Sequence, residues 1–386
     1  MTDQELLYRK VLAEMLLANG IDELDLQMRP EPEKVLARGI RVAGLSIQFP
    51  EGLAPAPTAP NLATVTTEPL PQAEVLVVTW TVDEQDALAD VLTPGFGRHT
   101  WTRYNRRFEQ FYVPLIRPGA PSLAARRLGS WCLTHIGQKS VLCFKSELHL
   151  NQDGIFDAIA PGVATLPVKD LFQQIIQEVK PKLVITVGTS GGLFKNHDLG
   201  DVAVTRAAKF RCRREFKNAV FNHGQVFRSE WEVPRKHFKK AVELMQKFAE
   251  NLKEDPIAAP TVRHTGTPYK APVYKPDIKQ EGFGGIPEFH PILTTDFFEY
   301  GTSKNKLEEE GLGVEMGDAV LGLVATEMGN NAPHWVVVRN LSDPQINAEL
   351  GSVLGDAYAV WYYQKYGYWT SVMSALTTWA IIAGLE

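Results

Sequence analysis

The chain of 386 residues is 44% hydrophobic and 22% charged, a composition typical of a folded protein with a substantial core, which excludes a disordered chain. Its 40 basic and 45 acidic residues leave a net charge of −5, so no overall positive field favours nucleic acid or an anionic membrane as a partner. Three cysteines without CxxC spacing, Cys132, Cys143 and Cys212, argue against a disulfide framework and a zinc site.

The N-terminus lacks the basic start and the apolar stretch of a signal peptide. No apolar run approaches the ~20 residues that span a bilayer. Together with the odd number of cysteines, this predicts a soluble, cytoplasmic protein without a membrane partner.

The first 70 residues are predicted to form a helical appendage and a proline-rich linker. Residues 3–19 carry apolar side chains at helical spacing, which predicts an amphipathic helix that must pack on the main domain or on another subunit. Residues 49–72 are rich in proline and alanine, which favours an extended, poorly packed connector. The main domain is then expected over residues 71–386.

Within residues 71–386, apolar runs typical of strands alternate with helical patterns. Ligands bind at the carboxyl ends of the strands in sheets built this way. A Pro- and Gly-rich insertion at about 254–291 is too long for an ordinary connection and is a candidate lid or inter-subunit arm. The pattern predicts an α/β fold with a mixed, mostly parallel central sheet flanked by helices. The predicted strands are Val75–Trp80, Trp131–Ile136, Val141–Phe144, Leu183–Val187, Val202–Thr205, Ile292–Thr295 and Trp335–Arg339, and the predicted helices lie at about 168–180, 235–252, 346–366 and 370–384.

A glycine-rich segment, Gly188 to Gly192, directly follows one of these strands. Its permissive backbone and free N–H groups can approach a ligand closely. With the strand before it and the LGDV strand after it, this segment resembles the nucleoside phosphorylase and nucleosidase superfamily. Four further segments resemble motifs of that family in the same chain order, and the joint order is far more specific than any one motif. They are Val77–Glu84, Thr294–Phe298, Val314–Met316 and Val338–Asp343.

The resemblance implies a nucleoside phosphorylase-like fold, cleavage of a purine N-glycosidic bond, a homo-oligomer, and no metal or organic cofactor. It assigns water activation to Glu84, stacking on the purine to Phe298, the ribose to Glu315 and Met316, and purine protonation to Asp343. The remaining residues expected to bind the substrate are Gly188, Thr189, Ser190, Gly191, Ser342 and Arg206.

These roles agree with the chemistry of the bond. Cleavage builds negative charge on the departing purine, so a proton donor such as Asp343, shielded at a strand end, lowers the barrier. The Ser-Asp-Pro sequence around Asp343 is also an ordinary helix cap. Glu84 could deprotonate water, or could share a solvated first helical turn with Asp83 and Asp86. An isolated Phe298 would by default be a core residue.

Departures from the family pattern leave alternatives open. Thr186 stands where phosphorylases often have an arginine that binds phosphate, which favours hydrolysis over phosphorolysis. Gly317 replaces a ribose-binding glutamate, which keeps open a non-catalytic nucleoside-binding or storage protein. The basic run from Arg206 to Lys217 is either a solvated face or a grip on substrate phosphates, and His149 receives no role. The leading hypothesis is hydrolysis of a purine nucleoside or nucleotide, with a phosphorylase as the alternative enzyme.

Overall fold

The computed structural model describes residues 45–60, 67–250, 275–346, 348 and 352–386. The helix predicted at 3–19 lies outside these residues. The described chain contains a mixed sheet of twelve strands with helices on both faces, which confirms the predicted fold class.

The strands alternate with helices along most of the chain. The strands are β1 Val75–Thr79, β2 Thr102–Tyr104, β3 Gly129–Ile136, β4 Lys139–Ser146, β5 Leu183–Gly192, β6 Val202–Thr205, β7 Ala207–Phe210, β8 Val226–Arg228, β9 Ile278–Gln280, β10 Ile292–Thr294, β11 Gly313–Glu315 and β12 His334–Asp343. The helices are α1 Val82–Leu92, α2 Pro121–Ala125, α3 Leu150–Asp153, α4 Pro167–Val179, α5 Phe238–Ala249, α6 Asp318–Met328 and α7 Ser352–Ala383.

Strand β5 organises the sheet. It pairs in parallel with β1 and with β12, and its last residues, Gly191 and Gly192, pair antiparallel with β11. Strand β4 lies on the far side of β1 and is parallel to it. The carboxyl ends of β4, β1, β5 and β12 therefore meet at one edge, where the chemistry of such a sheet is expected.

The sheet separates two hydrophobic cores. Successive side chains of a strand point to opposite faces, and β1 shows this because it is buried throughout. Leu76 and Val78 pack into the core that contains α4 and α6, whereas Val75 and Val77 pack into the core that contains α1, α5 and α7. A strand buried on both faces is a continuous apolar run, as the sequence of β1 is.

The proline-rich segment differs from its prediction. Residues 45–60 pack on the main domain: Ala56 exchanges two backbone hydrogen bonds with His135, and the Phe49 and Trp379 rings lie 4.9 Å apart. The prolines leave the backbone extended, and the apolar side chains between them cover β3 and α7. The prediction of a poorly packed connector was therefore wrong for this part of the segment.

The C-terminal helices also differ from their prediction. The helices predicted at 346–366 and 370–384 are one continuous helix, α7, which passes through Gly367. Glycine within a helix costs about 1 kcal/mol relative to alanine, but here the helix is buried against the sheet, and packing outweighs that cost. Among the described residues, no helix has both the length and the apolar character that a membrane span requires.

The described end of the predicted 254–291 insertion belongs to the sheet. Strand β9 pairs in parallel with β6, and the amide N–H of Asp277 donates to Asp201 at 3.0 Å. Glu281, just after β9, is buried. This part of the predicted insertion therefore joins the sheet through β9, and residues 254–274 lie outside the described residues.

Candidate active site

A cavity of about 190 Å³ opens at the carboxyl ends of the strands. Segments far apart in the sequence form its wall, because the sheet order brings the ends of β1, β4, β5, β11 and β12 together. Most of the side chains predicted from the motifs line it. They are Glu84, Thr189, Ser190, Gly191, Phe298, Glu315, Met316, Ser342 and Asp343.

Asp343 is the last residue of β12 and lines the cavity. Its side chain is buried, and the Ser342 hydroxyl donates to its Oδ1 at 3.1 Å. Burial raises the pKa of Asp343 to about 7, and the Ser342 hydrogen bond opposes this rise. The helix-cap alternative was wrong, because Asp343 belongs to the strand and the next helix, α7, begins at Ser352.

Glu84 occupies the third position of α1 and belongs to a capping box. Its carboxylate accepts from the backbone N–H of Thr81, and the Thr81 hydroxyl accepts from the backbone N–H of Glu84. Oε2 also accepts from the Thr79 hydroxyl at 2.9 Å and from the Trp80 N–H at 3.1 Å. Oε1 accepts from the N–H and the hydroxyl of Thr189 at 2.8 and 3.0 Å. Glu84 is buried, so the solvated-turn alternative was wrong for this residue.

Glu84 is held in its ionised form. Burial alone would raise its pKa, but the charge of Arg339 and the hydrogen bonds from the backbone of Thr81, Thr189 and Trp80 outweigh it and lower the pKa below the ordinary value. Glu84 and Asp343 are thus two carboxyls of one cavity with opposite shifts, an arrangement that allows one to donate a proton while the other stays charged.

Arg339 is a buried site residue to which sequence reasoning assigned no role. Its guanidinium binds Asp318 through Nε and Nη2 at 2.8 and 2.6 Å, and Nη2 also lies 3.2 Å from Glu315 Oε2. Its Nη1 lies 3.8 Å from Glu84 Oε1. The sequence signal was available: an arginine that ends a run of four apolar residues in a central strand must find a buried partner.

One arginine thus faces three carboxylates, those of Glu84, Glu315 and Asp318. Burial and the neighbouring charge of Asp318 raise the pKa of Glu315, whereas the charge of Arg339 opposes this rise. Gly188 lies beneath this cluster without lining the cavity: a Cβ there would press on Arg339 and lie 2.5 Å from Glu84 Oε1. A side chain at this position would disrupt the cluster.

Aromatic and apolar side chains form another part of the wall, to which Trp80, Phe298, Val314 and Met316 contribute. The Trp80 indole packs over Gly317, where a Cβ would lie 3.2 Å from Trp80 Cζ2. A side chain at position 317 would therefore require the indole to move by a few tenths of an ångström. Trp80 also stacks on Arg339, whose guanidinium carbon lies 4.9 Å from the ring centroid.

Lys145 and His149, at the end of β4, also line the cavity, and sequence reasoning assigned no role to either. Lys145 pairs with Glu147, which also accepts from Arg127 at 2.7 Å. Burial, together with the charge of Lys145, lowers the pKa of His149 to about 4, so its imidazole is neutral at pH 7. A lone histidine after a strand carries no specific sequence signal, and only the fold shows that its ring reaches the cavity.

Arg206, predicted to bind the substrate, is not among the residues that line the cavity. Its guanidinium binds Glu281 at 2.6 Å and Glu288 at 3.2 Å, and it stacks on the Phe289 ring. Arg211 of the same basic run pairs with Glu299. Both arginines therefore form ion pairs with carboxylates of the protein itself. In the described parts of the chain, no group of three or more His, Cys, Asp or Glu side chains is placed to hold a metal ion.

The sequence matches no protein-family model and no curated protein. Its structure is similar to that of 5'-methylthioadenosine/S-adenosylhomocysteine nucleosidase from Neisseria meningitidis in complex with methylthio-immucillin-A, with 14% identity, 81% of this chain and 100% of that chain covered, and a TM-score of 0.44. Futalosine hydrolase of Helicobacter pylori is 12% identical over 81% of this chain and 97% of its own, with a TM-score of 0.44.

The S-adenosylhomocysteine nucleosidase from Streptococcus pyogenes is likewise 12% identical, over 81% of this chain and 98% of its own, with a TM-score of 0.43. Two of these three structural neighbours are thus nucleosidases, and the third is a hydrolase.

Proposed function

We propose that this protein hydrolyses the N-glycosidic bond of a purine nucleoside or nucleotide and releases the free base. One observation carries the proposal: Asp343, a buried carboxyl whose pKa burial raises to about 7, lines the same cavity as the aromatic side chain of Phe298. A carboxyl that titrates near neutral pH, next to a surface on which a base can stack, is suited to protonate a departing purine.

In this proposal Asp343 is the general acid. It donates its proton to the purine as the bond to the sugar lengthens, so that the base leaves as a neutral molecule. The Ser342 hydroxyl binds the carboxylate that remains, which limits the cost of leaving a charge in a buried place. Phe298 stacks on the base, and Met316 lies against the sugar as a flexible apolar wall.

Glu84 acts at the sugar. Its negative charge offsets the positive charge that develops on the anomeric carbon. Both of its oxygens already accept hydrogen bonds, but one of those bonds comes from the Thr189 hydroxyl, which can rotate away and give its place to water. Glu84 then accepts a proton from that water as the water attacks. Thr189, Ser190 and Gly191 present the end of β5 to the substrate, and Gly188 keeps the space beneath Glu84 open.

The Arg339 cluster keeps this machinery in place. Glu315 and Asp318 bind the guanidinium, which in turn holds the charge of Glu84 at the cavity. Glu315 also lines the cavity, and in this proposal its carboxyl group binds a hydroxyl of the sugar.

The experiment is chromatographic detection of free base after incubation with purine nucleosides and nucleotides in phosphate-free buffer. We expect base release by the wild type and a loss of roughly 10²–10⁴-fold in turnover for Asp343→Asn. Asp153→Asn is a matched control, because Asp153 is also buried beside a serine, Ser122, and burial raises its pKa to about 6, yet it does not line the cavity.

Three outcomes would contradict the proposal. Equal turnover of Asp343→Asn and the wild type would remove Asp343 from catalysis. A strict requirement for added phosphate would identify phosphorolysis instead of hydrolysis. Absence of base release from every substrate, with or without phosphate, would favour a binding protein.

A further inference from the structure

The end of the cavity formed by Lys145, His149 and Asn151, here called the β4 end, carries hydrogen-bond donors that the protein does not use. The Lys145 ammonium has three N–H groups, and within the described residues its hydrogen bonding is to Glu147 alone. The side chain of Lys145 is only 5% exposed, so bulk water does not readily supply the missing acceptors. The His149 ring is half-buried and makes no hydrogen bond to any described residue.

The charges at the β4 end favour an anion. Lys145 and Arg127 share the single carboxylate of Glu147, which leaves one positive charge in excess. The Glu84 carboxylate lines the same cavity and offsets part of this charge, but its oxygens already accept hydrogen bonds from Thr79, Trp80, Thr81 and Thr189 and do not use the free N–H groups of Lys145. A ligand group placed here must therefore bring hydrogen-bond acceptors, and an anionic acceptor binds a Lys145 ammonium more strongly than a neutral one.

The β4 end lies beyond the sugar side of the proposed site. The Asn151 Nδ2 is 3.2 Å from the Met316 Sδ, so this end adjoins the residue that lies against the sugar. Strand β1 separates β4 from β5, and two strand spacings are about 10 Å. A substrate whose base lies at the ends of β5 and β12 thus directs the outer substituent of its sugar toward Lys145 and His149.

We propose that Lys145 and His149 bind a phosphate group carried by the sugar, so that the substrate is a purine nucleotide rather than a nucleoside. This inference rests on the proposed function for the position of the base and the sugar. It assigns the phosphate contacts to the β4 end rather than to the run that includes Arg206, for which the sequence left open either a solvated face or a grip on phosphates. Inorganic phosphate has the same chemistry, and the experiment separates the two sources.

The test is calorimetric binding of adenosine, adenosine 5′-monophosphate and inorganic phosphate to the Asp343→Asn protein, which binds without turnover in this proposal. We expect the monophosphate to bind at least about tenfold more tightly than adenosine, the effect of one charge-assisted hydrogen bond. His149→Leu and Lys145→Met, each added to this background, should reduce that advantage by about tenfold or more. Lys169→Met is the matched control, because Lys169 pairs with Glu327 outside the cavity and its loss should keep the advantage.

Equal affinity for adenosine and its monophosphate would overturn the inference. So would tighter binding of the monophosphate that persists unchanged in both His149→Leu and Lys145→Met. Inorganic phosphate that tightens adenosine binding, without any advantage for the monophosphate, would overturn the assignment to a nucleotide. If Lys145→Met does not fold, His149→Leu decides, because a partly exposed ring without hydrogen bonds can be lost at little cost to the fold. Failure of the proposed function is seen separately, as absence of base release by the wild type.

Discussion

The hydrogen bond from Ser342 to Asp343 makes the proposed acid testable through its pH dependence. Asp343 is active when protonated, so kcat/KM for base release should fall above a midpoint near pH 7, the value to which burial raises the pKa. The Ser342 hydroxyl donates to the ionised form and thereby lowers that pKa. Ser342→Ala removes the donor, so the midpoint should move to higher pH.

The size of the shift follows from the hydrogen bond. A hydrogen bond to a charged group contributes about 1.5 kcal/mol or more, and 1.36 kcal/mol corresponds to one pH unit, so the midpoint should rise by roughly one unit, to about pH 8. At pH 9 the wild type should retain ~1% of its plateau value of kcat/KM, and Ser342→Ala ~10%.

The assay is the pH profile of kcat/KM for free-base release from one purine substrate between pH 5 and 10. Ser190→Ala is the control: the Ser190 hydroxyl also lines the cavity but donates to the Asn340 carbonyl, so its loss should leave the midpoint unchanged. A midpoint that is the same in Ser342→Ala and in the wild type, or a profile without an alkaline decline, would refute the assignment of Asp343 as the acid.

Three further expectations concern stability. Burial raises the pKa of Asp343 from 3.8 to about 7, so as the pH rises the unfolded chain loses this proton before the native protein does. The free energy of unfolding should therefore fall by about 3 kcal/mol between pH 4 and 7. Urea unfolding should show Asp343→Asn gaining that amount relative to the wild type over the same interval, and a difference independent of pH would contradict it. Arg339→Met leaves buried carboxylates without their cation and should cost about 3–5 kcal/mol in the same assay; a cost below about 1 kcal/mol would mean that the cluster is not coupled as described. Gly188→Ala forces a methyl group against Arg339 and Glu84 and should cost about 1–3 kcal/mol and lower turnover, whereas unchanged thermal unfolding and base release would show that the cluster can relax.

The sequence predicted those parts of the fold that repeat a simple pattern. Buried strands such as β1 and β6 are uninterrupted apolar runs, and their predicted bounds agree with the structure within about a residue at each end. The three-residue strands β2, β8 and β11 were missed, because so few residues establish no alternation. Helix α6 was missed because most of it is buried, so it lacks the polar face that marks an amphipathic helix.

The sequence likewise predicted some residues of the candidate site and missed others. Residues at strand ends, such as Asp343 and Thr189, could be placed because the sheet brings those ends together. Arg206 was misplaced because a sequence shows a charge but not its partner, and the partner here, Glu281, is 75 residues away. Lys145 and His149 were missed because the residues around them in the sequence do not show whether a side chain reaches a cavity or faces the core.

The contact between the Trp80 indole and Gly317 constrains how this protein can change over evolution. A carboxylate at position 317 would crowd the indole, so losing bulk at position 80 first is the less strained order of change. The reverse order passes through an intermediate in which the indole must shift. Across related sequences we therefore expect the two positions to vary together, with a large aromatic residue at the first only where the second is glycine. Such a pair would mark, from sequence alone, the members that share this cavity wall.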